Sequence, residues 1–176
     1  LQPVLDHCME FAMNAQSETW ADKLGLGGLQ ESDEELVNDL LVLLGSTEVD
    51  MTMFFRGLCS VAEPDVDHLS EAFYEGDEPS KTAWNAWLAR WWERVDGQPD
   101  RDTMRASNPK YVLRNWMAQL AIDAAEQNND FTVAEELHEL LKRPYDEQPE
   151  HEERWFQKRP EWARHRVGCS MLSCSS

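Results

Sequence analysis

Between residues 84 and 95 the chain places Trp84, Trp87, Leu88, Trp91, Trp92 and Val95 at i, i+3, i+4, i+7, i+8 and i+11. That recurrence is one face of an α-helix. Each indole carries roughly 150–250 Å² of surface to be buried, so four on one face oblige other elements to cover them. A row of rings could also stack a ligand. A buried contact surface between helices is the plainer use of this spacing. The stripe therefore demands a helical core before anything else is known of the chain.

The rest of the sequence supplies partners for it. Val4, Leu5, Cys8, Phe11, Ala12 and Ala15 mark a helical face within residues 4–21, and Gly25-Leu26-Gly27-Gly28 ends it. Ser32 with Glu35 reads as a capping box opening a helix over 36–44 that Gly45 stops. Met51, Phe54, Phe55 and Leu58 place a helix in 51–61, and Val66, Leu69 and Phe73 a short helical face after Pro64. Gly76-Asp77-Glu78-Pro79 and Asp96-Gly97-Gln98-Pro99 read as loops on either side of the tryptophan helix. Asn108-Pro109 reads as an N-cap followed by a first-turn proline, with Val112, Leu113, Trp116, Met117 and Leu120 facing inward and Asn128-Asn129 ending the helix. Thr132 with Glu135 is a second capping box, for a helix carrying Leu137, Leu140 and Leu141 and closed by Pro144. No segment alternates apolar and polar residues as a strand would. The expected fold is all-α, an irregular helical bundle, with a helical subdomain over 1–144 and an extended basic-aromatic segment with a flexible tail over 145–176.

The 176 residues carry 16 basic and 34 acidic side chains, a net charge of −18. That balance argues against nucleic acid as a partner, because neutralising phosphates needs a basic excess. No apolar run approaches the roughly 20 residues of a membrane span, so no membrane partner is expected. The charge is lopsided: residues 1–100 hold 5 basic and 21 acidic residues, and 101–176 hold 11 and 13. A solvated helical surface explains the acidic half; a face that docks a basic partner is the alternative. The opening Leu1-Gln2-Pro3-Val4-Leu5 lacks an initiating Met and any targeting character, so the natural start is expected upstream.

Four cysteines are too few for a disulfide scaffold, and a reducing, cytoplasmic setting follows. Cys8 and Cys59 stand among apolar neighbours and are expected to pack as small hydrophobes. His165, Cys169 and Cys174 are short of a ligand for zinc. Cys174, third from the end among serines, is either a bystander or an accessible thiol that exchanges and oxidises; its position leaves both open. Phosphate-binding, metalloprotease and hydrolase motifs do not occur. No catalytic, cofactor-binding or metal-binding residue is assigned.

Asn108-Pro109-Lys110-Tyr111-Val112-Leu113-Arg114-Asn115-Trp116, the later Pro144-Tyr145 and the ending Ser173-Cys174-Ser175-Ser176 resemble the C-terminal region of the selenoprotein O family, as does Met53-Phe54-Phe55-Arg56-Gly57-Leu58. The resemblance implies an enzyme of kinase-like fold that transfers AMP from ATP to protein hydroxyls with a divalent metal such as magnesium. This chain would then be the C-terminal helical portion packed on a kinase-like core absent from it, and would bind neither ATP nor magnesium itself. Protein substrates would be partners of the whole enzyme. Cys174 matches the family's redox-active terminal selenocysteine or cysteine, which can form a disulfide with a cysteine in the core; Cys169 is the nearest thiol in this chain, and its small ring with Cys174 ranks it below a core partner. Met171 stands where the family has a further cysteine. The alternative function is a free-standing acidic helical interaction module without catalytic activity.

Overall fold

A computed structural model describes residues 2–74 and 78–169; for 2–8, 10, 78 and 79 it describes the backbone alone. Those residues form helices α1 (Gln2–Leu24), α2 (Asp33–Ser46), α3 (Met51–Leu58), a 3₁₀ turn (Val66–Ala72), α4 (Glu78–Arg94), α5 (Arg101–Ser107), α6 (Asn115–Asn128), α7 (Thr132–Leu141), α8 (Pro149–Trp155) and α9 (Glu161–Arg164). The described residues contain no sheet; Val49 and Phe73 pair as an isolated antiparallel bridge. The all-α expectation holds. By its contacts the chain divides into two compact units, Leu1–Asn108 and Pro109–Ser176.

The first unit is built on α4. Trp84, Trp87, Leu88, Trp91 and Val95 are all buried, while Trp92 at the edge of the stripe is half-buried. Each buried indole also finds an acceptor: Trp84 Nε1 donates to Thr47 Oγ1 at 3.2 Å, Trp87 Nε1 to the Leu36 carbonyl at 2.8 Å, and Trp91 Nε1 to the Leu24 carbonyl at 2.9 Å. An unpaired indole N–H there would cost about 1–3 kcal/mol. Phe54, fully buried, sits 5.0 Å from the Trp84 ring and edge-on to Phe55 and Phe73. The α1–α5 contact is close because Gly25 (φ +64°) ends α1: a Cβ there would lie 2.8 Å from Met104 Sδ and 3.0 Å from the Asp100 nitrogen.

Local signals misjudged several ends. Helix α2 runs through Gly45 to Ser46, and Ser32 makes no side-chain cap; Asp33, 2% exposed, instead accepts the Gln30 N–H at 2.8 Å. Arg94 from α4 holds that carboxylate from both sides (Nε to Oδ1 2.7 Å, Nη2 to Oδ2 2.9 Å), a tertiary pairing that recruits the residue the local cap would leave exposed. Asn108 does not open a helix. It is the C-cap of α5, a helix capped by Asp100 at its start. Residues 109–114 run without helix, so Val112 and Leu113 are exposed rather than inward. Thr132 likewise forms no box: its N–H is taken by Asp130 Oδ1 at 2.9 Å.

The second unit packs α6 to α9 around Tyr111, Trp116, Met117, Leu137, Leu140, Trp155, Ala163 and Cys169. Residues expected to be an extended segment contribute Trp155 and Ala163 to this core from α8 and α9. Their aromatic and small side chains bury better against α6 and α7 than on a free strand.

Candidate functional site

The run Asn108–Trp116 carries the family likeness, and the structure shows what its polar side chains from Asn108 to Asn115 do. Asn108 belongs to the first unit and is 1% exposed. Its Oδ1 accepts from Lys23 Nζ at 2.8 Å and its Nδ2 donates to the Lys23 carbonyl at 3.0 Å, so one amide satisfies both ends of that residue. Arg56, 7% exposed, donates through Nη1 to the carbonyls of Arg105 and Asn108 at 3.1 and 3.0 Å. These carbonyls end α5 and would otherwise be orphaned. Burial pushes the Lys23 amine below its ordinary range and the Cys59 thiol above its own. Cys59 donates to the Phe55 carbonyl at 3.2 Å and is fully buried, as expected. A raised thiol shielded from solvent is no nucleophile.

In the second unit, Lys110 is 4% exposed and donates to Glu147 Oε2 at 2.9 Å and Glu152 Oε2 at 2.7 Å. Its ammonium also lies over the Phe156 ring, 5.2 Å from the centroid. Burial works to lower this amine, but the hydrogen bonds to Glu152 and Glu147 outweigh it, and it stays charged above its ordinary range. Tyr111 donates to the carbonyls of Glu147 and Gln148, both at 3.0 Å, and burial raises its phenol. Gln148, held at φ +38° and buried, returns Nε2 to the Leu140 and Arg143 carbonyls. Arg114 Nη1 donates to the Gln157 carbonyl at 2.7 Å, and Asn115 Nδ2 to the Cys169 carbonyl at 3.1 Å. Lys110 pairs with two carboxylates, and the other polar side chains from Asn108 to Asn115 anchor backbone that helices leave unpaired.

The basic-aromatic segment is engaged in the same way. Arg154 pairs with Glu136 and lies over Trp155, whose indole also donates to Glu136 at 2.8 Å. Arg166 grips Asp123 with both terminal nitrogens, at 2.8 and 2.6 Å. That bond, supported by Gln119, holds the Asp123 carboxyl below the usual carboxylate range. Asp33–Arg94, Lys110–Glu152 and Asp123–Arg166 are separated by 61, 42 and 43 residues, so no local spacing could have announced them.

Cys174 and the side chain of Cys8 lie outside the described residues. Of the zinc candidates, His165 is exposed and Cys169 is buried as a free thiol. Among the described residues no three His, Cys, Asp or Glu side chains are grouped to hold a metal, and no helix is long and apolar enough to cross a membrane. The acidic half offers an open groove of about 480 Å³ beside α1, lined by Asn14, Ser17, Glu18 and Asp22. A tighter cleft of about 160 Å³ lies between the 3₁₀ turn and α4.

Comparison with known proteins bears on this scaffold directly. The family model described as "Protein adenylyltransferase SelO" matches residues 1–142. A protein nucleotidyltransferase YdiU of Flavobacterium johnsoniae is 43% identical over 189 aligned residues, covering 100% of this chain and 36% of the relative. Its namesake in Rhodopirellula baltica is 49% identical over 89% of this chain and 33% of its own length; that of Xanthomonas campestris pv. campestris is 46% identical over 100% and 35%. The chain spans about a third of the length of these relatives.

Proposed function

This chain belongs to the SelO family of protein adenylyltransferases, and on that premise we propose that it is the helical, non-catalytic part of a protein nucleotidyltransferase. The whole enzyme moves AMP from ATP to protein hydroxyls in the cytoplasm, with the chemistry in polypeptide beyond these 176 residues. A divalent metal such as magnesium supplies charge neutralisation at the phosphate undergoing transfer. Among the described residues no three His, Cys, Asp or Glu side chains are grouped to hold a metal.

The observation that carries the reading is the employment of the polar side chains of 108–115. Asn108, Lys110, Tyr111, Arg114 and Asn115 all bond to backbone or to salt-bridge partners within their own unit. Groups committed to backbone and carboxylate partners support a structural rather than a phosphate-handling role for the run. Cys174, at the position of the family's redox residue, supplies the chain's own chemistry: a thiol that closes a disulfide with a cysteine of the catalytic core.

Calorimetric titration of the 176-residue chain with ATP and magnesium tests the division of labour. No binding heat is expected, and micromolar affinity overturns the proposal.

A further inference from the structure

The cleft of about 160 Å³ between the 3₁₀ turn and α4 stays open because its walls are fastened elsewhere. The Val66 N–H donates to Asn85 Oδ1 at 2.8 Å, which ties the turn to α4, and Asp65 Oδ1 accepts the Asp67 N–H at 2.9 Å. Phe73 is fixed through the backbone on either side of it: the Asp50 N–H meets the Ala72 carbonyl at 2.8 Å and the Tyr74 N–H meets the Glu48 carbonyl at 3.0 Å. On the other wall Trp84 Nε1 donates to Thr47 Oγ1, which lies 3.2 Å from Ser80 Oγ. Trp84 and Phe73 pack edge-on, with ring centroids 5.2 Å apart. Side chains held this way do not fold inward to fill the space, so the site is formed before anything enters it.

The mouth carries one charge of each sign. Lys81 Nζ on α4 reaches across to Asp67 Oδ1 on the turn at 3.1 Å, and the two side chains are 47% and 66% exposed. An ion pair so open to water contributes little to the fold, so it parts readily for a guest that replaces both partners. Behind it the lining is apolar, from Val66, Phe73 and Trp84, with hydroxyls from Ser70 and Ser80. Liquid water takes about 30 Å³ a molecule, so the interior has room for about five non-hydrogen atoms. A cation alone would satisfy Asp67 and strand Lys81, and an anion alone would do the reverse. A guest with both charges at one end and a short carbon chain behind them satisfies every part of the cleft.

We propose that this cleft binds a small zwitterion, an α-amino acid with a branched aliphatic side chain such as leucine. Its carboxylate meets the Lys81 ammonium, its ammonium meets the Asp67 carboxylate, and its Cα and side-chain carbons fill the interior against Phe73 and Val66. The site lies wholly within the first unit and is independent of the adenylyltransferase reading. Size sets its selectivity. Each buried methyl or methylene is worth about fourfold in affinity, so alanine, three carbons shorter than leucine, should bind at least about tenfold more weakly. The phenylalanine ring exceeds the space.

Saturation-transfer NMR on the full-length protein with L-leucine tests the assignment. At millimolar leucine its methyl protons should receive the strongest transfer, and titration gives the affinity. Isoamylamine and isocaproate keep the carbon chain with one charge each, and both should bind about tenfold more weakly than leucine. Leucine itself should bind about tenfold more weakly to Lys81→Met and to Asp67→Asn. Both side chains are exposed, so the variants should melt with the wild-type protein, which separates lost binding from lost folding. The analogue series needs no variant at all. Absence of transfer from the protein, equal binding of either single-charge analogue, alanine binding as tightly as leucine, or unchanged affinity in both variants overturns the proposal.

Discussion

Replacing Asn108 with alanine tests most directly whether the 108–116 run is structural. The substitution removes the acceptor of the Lys23 ammonium at 2.8 Å and the donor to the Lys23 carbonyl at 3.0 Å. The first is a charge-assisted bond to a half-buried amine, worth about 1.5–3 kcal/mol, and the second leaves a carbonyl at the end of α1 without its donor, at about 1 kcal/mol or more. Because Asn108 is 1% exposed, water cannot step in without opening the site. The sum is about 3 kcal/mol. With a urea slope of about 2 kcal/mol/M for a unit of this size, the midpoint should fall by roughly 1.5 M. Tryptophan fluorescence reports the transition, since Trp84, Trp87 and Trp91 are all in the core of that unit. Asn108→Asp keeps the contact to Lys23 and loses only the donor, so it should fall between wild type and alanine. A shift below roughly 0.3 M for Asn108→Ala would mean the amide is not an anchor, and the structural account of the run would fail with it.

Three further outcomes are expected. The Asp33 carboxyl is buried, which would raise its pKa, but the Arg94 and Gln30 hydrogen bonds hold it below the ordinary range. Its stabilisation is therefore present above about pH 4 and lost as pH falls through the lower folded value. Urea midpoints between pH 7 and pH 2 should show this, and in Arg94→Met the acid limb should flatten or reverse while stability at pH 7 drops by about 3–5 kcal/mol. Lys110→Met should cost only about 1–2 kcal/mol, because Glu147 and Glu152 are 61% and 52% exposed and can return to water. Glu147→Gln/Glu152→Gln should cost more, by leaving a buried ammonium without counter-charge; equal losses in thermal melts would contradict this. Cys59 should resist a thiol reagent until the first unit unfolds, and fast labelling of Cys59 in native protein, read by peptide mapping, would disprove its burial.

The tryptophan stripe was legible because helical periodicity is a property of neighbours. Five of its six positions are buried as the spacing requires, and Trp92 departs only by sitting at the edge of the stripe. The caps were less legible. Ser32 and Thr132 have the residue type for a box, yet Asp33 and Asp130 supply the side-chain oxygens. Several polar side chains stand near each helix start, and the local sequence does not rank which of them will bond. Asn108-Pro109 misled for a related reason. An Asn can close a helix as well as open one, and its bonds to Lys23, 85 residues away, decided the matter.

What the chain's own letters determined was its class: helices, their faces, and a family likeness resting on a contiguous run of residues. Only the folded molecule decided which charges are buried together, because Asp33–Arg94, Lys110–Glu152 and Asp123–Arg166 join residues from 42 to 61 positions apart. Periodicity is written in successive residues, whereas desolvation and ion pairing depend on what the chain's distant parts bring to the same place. The same holds for the boundary at Asn108, which has no spacing of its own to be read.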